Sequence, residues 1–243
     1  VLGISISVCG RGNGITAPPL PTSGLLRAWD FTQSPIMQIA GDTDSFAIPA
    51  DPNAPEPTSL GHLFDGVDDY VSAAPHPYLG AAGTVLCVAR TERSYPSDSG
   101  AFLNRGLVAN TSSGVTAGIA WGLEWNGDNV SRYLRLLIGD GSALNTVVIA
   151  FNPGTAFHVL GGRWGGGALS VWSDGVQLHS ETQSVNANTG IFPALKVGQI
   201  FAATSNAWSG EIAFVALYTT ALTDLEMAQA HAALRAMYPA LSL

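Results

Sequence analysis

"RWGGGALSVWSDGVQLHS", residues 163–180, decides the fold. Asp174-Gly175 stands between two β-type runs, and a type I′ hairpin turn needs positive φ at both of its central residues, which this pair tolerates. Gly165, Gly166 and Gly167 open a second turn between "ALSVW" and the preceding "FHVLGGRW". Two turns joining three extended runs make an antiparallel meander.

Outward from this meander the same grammar recurs. "LLRAWDF", "HLFDG", "DYVSA", "GTVLCVAR", "GIAWGLEW", "RYLRLLIGD", "LNTVVIAF", "ALKVGQIF" and "GEIAFVALY" are short apolar or alternating runs bounded by Gly, Asn and Asp. Many short strands at such spacing predict a sandwich or barrel. The Pro- and Asp-rich stretch from Ala40 to Ser59 reads as a long surface loop, because proline cannot donate to a central ladder. Near the C-terminus "ALTDLEMAQAHAALRAMYP" predicts one helix, packed against one end of the sandwich, with Thr223 and Glu226 as a capping box and Leu222 stapled to Met227. Leu225, Ala228, Ala232 and Leu234 or Arg235 recur at helical spacing, and Pro239 ends the segment. At the other end Leu2, Ile4, Ile6 and Val8 alternate with small residues before glycines and a proline cluster. Residues 1–21 therefore read as an extended arm and linker, and 22–243 as the folded body.

With 243 residues, 47% hydrophobic and only 12% charged, the chain has enough apolar surface for one large core. Its low charge density leads us to expect cover by other protein subunits, as a homo-oligomer or within a larger assembly. A net charge of −8, with Lys196 the only lysine, argues against a nucleic-acid partner, which needs clustered cations. No apolar run approaches membrane-spanning length, so no membrane partner is expected. "VLGISISVCGRG" lacks a basic start and is read as arm rather than leader. Cys9 and Cys87 have neither CxxC spacing nor a nearby His, and Cys87 within "TVLCVAR" reads as a core residue.

Three ordered motifs resemble the concanavalin A-like lectin/glucanase superfamily in its laminin G-like or pentraxin-like branch. The first is an early W-x-F strand at Trp29 and Phe31, followed by "FDGVDDYV" from Phe64 to Val71. The second is the central pattern of His158, Val159, Trp164, Gly167, Leu169, Trp172, Asp174 and Gly175. The third closes the chain with Gly210, Ile212, Ala213, Val215, Tyr218, Ala221, Leu222, Thr223 and Glu226. The resemblance covers Leu25 to the C-terminus. It implies an all-β, two-sheet antiparallel jelly-roll sandwich with a short C-terminal helix, here carrying the extended arm. It says much less about function.

That resemblance makes calcium worth weighing, with Asp65, Asp68 and Asp69 as candidate ligands. If "DYVSA" is a strand, however, alternation sends Asp68 and Asp69 to opposite faces. No cofactor is otherwise expected. Glucanases of the superfamily need two carboxylates flanking the sugar bond. Glu124 and Asp128 are the nearest pair, and Asn126-Gly127 is expected to break the strand between them. No G-x-S-x-G elbow and no paired metal-type histidines appear among His62, His76, His158, His179 and His231. For sugar stacking, Trp125 and Trp208 sit beside polar turn residues, and His76 with Tyr78 lies on a loop. Trp121, Trp164 and Trp172 read as core.

The expected function is a non-enzymatic structural or adhesive module, foremost a surface protein of a bacteriophage virion, such as a capsid decoration, fibre or tail-associated protein. The arm of Leu2, Ile4, Ile6 and Val8 would anchor it to neighbouring virion subunits by strand addition. The alternative is a secreted or cell-surface carbohydrate-binding lectin domain, extracellular and bound to glycans. A glycoside hydrolase comes last.

Overall fold

The computed structural model describes residues 19–40, 46–49, 54–73, 80–91, 106–111, 119–127, 132–152, 154–183, 185, 187, 194–200 and 207–243. Its strands are β1 Leu25–Asp30, β2 Met37–Ala40, β3 Phe46–Ala47, β4 Glu56–Pro57, β5 His62–Asp65, β6 Val71–Ala73, β7 Gly83–Thr91 and β8 Gly106–Thr111. There follow β9 Ile119–Gly127, β10 Arg132–Gly139, β11 Leu144–Ala150, β12 His158–Gly165, β13 Ala168–Ser173, β14 Val176–Thr182, β15 Leu195–Val197, β16 Ser209–Tyr218 and the helix α1 Asp224–Met237. They form two antiparallel sheets. The first runs β14-β13-β12-β7-β16-β1-β2, with β5 on β16 and β4 on β5. The second runs β11-β10-β9-β8-β15-β6-β3.

The meander around Asp174-Gly175 forms as read: β12, β13 and β14 are consecutive neighbours, with Asp174 at φ 53° and Gly175 at φ 77° in the turn. The Asp174 carboxylate fastens that turn to the start of β12. Oδ1 accepts the Val159 N–H at 3.0 Å, and Oδ2 pairs with His158 Nδ1 at 2.7 Å. Burial pushes this carboxyl up, but those hydrogen bonds prevail and hold it below its ordinary value.

Between the sheets lies the main core, with Trp29, Phe64, Val85, Cys87, Trp121, Leu123, Leu136, Trp164, Val171 and Val215 among its side chains. Cys87 is fully buried there as a free thiol. Cys9 and the arm of Leu2, Ile4, Ile6 and Val8 lie outside the described residues.

A second apolar layer lies on the outer face of the first sheet. Leu86, Val88, Trp172, Phe214, Ala216 and Tyr218 are covered there by Met227, Ala230, Ala233 and Leu234 of α1, together with Leu20 and Tyr238. The capping box of Thr223 and Glu226 is present in both directions. The helix differs from expectation in two respects. It lies across a sheet face rather than at an end of the sandwich, because that face is itself apolar and must be covered. It buries Met227, Ala230, Ala233 and Leu234, while Leu225 is 68% exposed. Arg163 pins the start of the helix to the meander: it donates to Leu222 O at 2.8 Å and Asp224 Oδ1 at 2.7 Å, and its guanidinium lies 4.7 Å from the centre of the Trp172 ring.

Two further expectations need correction. The stretch from Ala40 to Ser59 is not all loop, since β3 and β4 each add two paired residues to a sheet edge. Asn126-Gly127 does not break β9 either; it continues the ladder opposite Tyr133 and Arg132.

Gly175 approaches the helix closely, and a Cβ there would lie 3.1 Å from His231 Cβ. Gly175→Val is expected to destabilise the domain by about 1–2 kcal/mol through left-handed strain alone. The check is a lower urea midpoint at unchanged slope.

Candidate functional site: the outer face of the second sheet

Because α1 covers the outer face of the first sheet, the outer side of the second is the candidate face; its centre is buried, and it reaches solvent at Val148, Arg135 and Lys196. Strand alternation assigns its residues: Leu134, Leu136, Leu123, Val147, Val71 and Val197 point into the core, so their sequence neighbours point out. One cross-strand row runs Thr146, Leu137, Gly122, Ala109, Lys196, Ser72 and Ala47. The next row holds Val148, Arg135, Glu124 and Gly106, with Tyr133 one step further along β10.

Small residues at the centre admit a crossing segment. Ile200 packs onto Ala109 and Leu137, where a Cβ on Gly122 would meet Ile200 Cδ1 at 2.6 Å and one on Gly106 would meet Ile200 N at 2.2 Å. This segment is tied down by Gly198 N–H donating to Leu107 O at 2.9 Å. It divides the face into a β9–β11 side and a β6–β15 side.

On the first side Glu124, with no exposed surface, pairs directly across the ladder with Arg135, whose Nε donates to Glu124 Oε2 at 2.7 Å and whose Nη2 donates to the same oxygen. Glu124 Oε1 is buried without a hydrogen-bond partner. Burial pushes the Glu124 carboxyl up against the opposing pull of Arg135. The Arg135 side chain remains 24% exposed, beside Val148 at 41%. On the second side Lys196 Nζ donates to Gln199 Oε1 at 2.8 Å and lies 4.8 Å from the centre of the Tyr70 ring.

The expected sugar-stacking pair is not on this surface. Trp125 and Trp208 are 3% and 1% exposed, with ring centroids 5.5 Å apart in the core, and Phe151 lies 5.6 Å from Trp125. Their polar sequence neighbours say where the turns are, but inward alternation on β9 decides Trp125. His76, Tyr78 and Asp128 lie outside the described residues. The sequon asparagine at Asn110 points inward and is 3% exposed.

Asp65, Asp68 and Asp69 are brought together, against the expectation from alternation. The strand β6 starts only at Val71, and Gly66 at φ 80° curls the chain so that the three carboxylates offer oxygens within 4.8 Å of one another. Asp65 Oδ1 accepts the Val67 N–H at 2.7 Å, and Asp69 Oδ2 accepts the Asp65 N–H at 2.8 Å. These bonds account for the cluster as a lock on the turn. Its hard oxygens suit a divalent cation, but three carboxylates supply only part of the six to eight oxygens calcium takes. Glu124 and Arg135 lay beyond sequence reasoning as a pair, since only the β9–β10 register sets them opposite each other.

Arg135→Met strands a buried carboxylate and is expected to cost about 3–5 kcal/mol, whereas Glu124→Leu combined with Arg135→Met recovers most of that loss. Denaturant unfolding of the three proteins checks it. Glu124 titrates in the folded chain above its ordinary value of 4.5, so its stabilising contribution is complete below that pH and declines as pH rises through the folded value. Glu124→Gln should remove that slope.

No family model matches the chain, and no curated protein matches its sequence. Solved structures do match its fold. Domain 4 of an extracellular arabinanase from Geobacillus stearothermophilus, in complex with arabinotriose, aligns over 86% of this chain and 98% of its own, with a TM-score of 0.58 and 13% identity. The botulinum neurotoxin serotype G binding domain aligns over 85% of this chain and 50% of its own, at TM-score 0.63 and 9% identity. Trypanosoma rangeli sialidase aligns over 93% of this chain and 35% of its own, at TM-score 0.61 and 15% identity. The chain thus spans about half of the toxin domain and about a third of the sialidase. At these identities the likeness is one of fold, and the protein is a two-sheet antiparallel β-sandwich.

Proposed function

We propose that this domain is a non-enzymatic adhesive module that holds glycans on the outer face of its second sheet. The observation that carries the reading is the division of labour between the sheets. The helix α1 closes the first, while the second, buried at its centre, brings to partly exposed positions the Arg135 of the Glu124–Arg135 pair, a second cation at Lys196, and the side chains of Tyr133 and Tyr70. Aromatic edges beside a few fixed polar groups are what sugar recognition needs. The arabinanase domain in complex with arabinotriose, of the same fold, supports this class of ligand by analogy. The commitment of Glu124 to Arg135 supports a binding role over hydrolysis, which would use a pair of carboxylates. A glycan array should show binding that Tyr133→Ala weakens about tenfold while leaving the unfolding midpoint within experimental scatter. A clean negative array, or release of reducing sugar from a bound glycan, would overturn the reading.

The module is placed by this proposal at an exterior surface: that of a bacteriophage particle if the arm of Leu2, Ile4, Ile6 and Val8 joins a neighbouring subunit, otherwise a secreted or cell-surface setting. Leu20 is 3% exposed within the layer under α1, so the linker is anchored to the body before residue 21. Deleting residues 1–18, and no more, should abolish co-assembly with virion subunits and leave thermal stability unchanged. An arm-deleted chain that still assembles sinks the virion placement and leaves the glycan reading standing.

A further inference from the structure

The arginines Arg90, Arg135 and Arg163 each pair with a carboxylate, of Glu211, Glu124 and Asp224 in turn. Lys196, the only lysine of the chain, is built differently. It sits on β15 between Leu195 and Val197, which are 1% and 0% exposed in the core, so its own side chain crosses the outer face of the second sheet. It stands opposite Ala109 on one neighbouring strand and Ser72 on the other. Its ammonium is half-buried, and both groups that hold it, the Gln199 amide oxygen and the Tyr70 ring, are uncharged. No carboxylate of the described residues pairs with it, in a chain that carries 18 of them and a net charge of −8. Burial alone accounts for the lowered pKa of this amine.

Taking a cation partly out of water without an anion costs free energy that a carboxylate partner would offset. Gln199 is itself 4% exposed and accepts only one of the three N–H donors an ammonium presents. The amine is therefore held in place from the side of the protein, with donors remaining for a ligand. A solvated surface lysine is normally mobile and surrounded by water. Here a buried amide and an aromatic face fix it on the outer side of the second sheet, which α1 does not cover.

We propose that Lys196, with Gln199 and Tyr70, is a recognition point for the carboxylate of an acidic glycan, one bearing uronate or a comparable acidic sugar. This rests on the glycan-binding reading above and adds a preference to it: the acid group bonds to Lys196 Nζ while the sugar ring lies against Tyr70.

The test uses an array in which carboxylate-bearing glycans stand beside their methyl-esterified forms, which keep the shape and lose the charge. The acids should bind about tenfold more tightly than their esters, as one charge-assisted hydrogen bond would give. That preference should shrink with added salt, vanish in Lys196→Met and persist in Lys196→Arg. In a chain labelled with [13C]lysine the single side-chain signal comes from Lys196. Adding the best-binding acidic glycan should shift it and raise its titration midpoint. Acids and esters binding alike, or a preference that survives Lys196→Met, would overturn the carboxylate site and leave glycan binding intact. Failure of every glycan on the array would overturn both.

Discussion

The structure depends on the burial of β16 from both sides. All ten of its residues are buried, and it pairs with β1, β5 and β7. Ile212, Val215 and Leu217 face the second sheet, whereas Phe214, Ala216 and Tyr218 face the helix. A strand that is apolar on both sides cannot belong to a two-layer sandwich with a wet outer face. It needs a third layer, and the chain supplies one from the residues that follow directly. The link Thr219–Thr223 is short enough to return α1 over the sheet, and Arg163 fastens the junction. The strands at the centre of the second sheet are buried as well, from Gly106 to Asn110 on β8 and from Ala120 to Trp125 on β9. Their outer side is lined by Ala109, Gly122 and Glu124 beneath the crossing Ile200, and the sheet reaches solvent beside them at Arg135, Val148 and Lys196.

Much of this was legible in the sequence, and the reasons are local. Asp174-Gly175 specifies its turn by backbone conformation alone, and the Thr223–Glu226 box specifies the helix start by hydrogen bonds within four residues. The misreadings involve partners distant in sequence. Which side of α1 is buried depends on where the first sheet lies, so the Leu225 stripe and the Met227 stripe could not be separated by periodicity. Trp125 and Trp208 are distant in the chain and meet only because β9 and the segment before β16 converge on one core. The turn at Asp65–Asp69 misled for the opposite reason: one glycine at positive φ cancels the alternation that a strand would impose.

The candidate site shows the same asymmetry. Individual residues such as Lys196 could be singled out by composition, because a lone lysine in an acidic chain is visible at once. That it shares a sheet face with the Glu124–Arg135 pair is a property of register, set by β15 pairing with β8 and β8 with β9. The electrostatics follow from position as well. Glu124 is desolvated because strands flank it on both sides and Gln199–Ile200 crosses above the adjoining Gly106.

Cys87 gives the core a built-in clock. The thiol lies on β7 between two central strands with no exposed surface, and burial pushes its ionisation well above the ordinary thiol range. Since only the thiolate reacts and only an opened sandwich admits reagent, the rate at which Cys87 takes up an alkylating probe measures how often the two sheets part. A ligand that grips the outer face of the second sheet, without touching β7, and is lost when the sheets part would slow that reaction by one plus the ratio of its free concentration to its Kd.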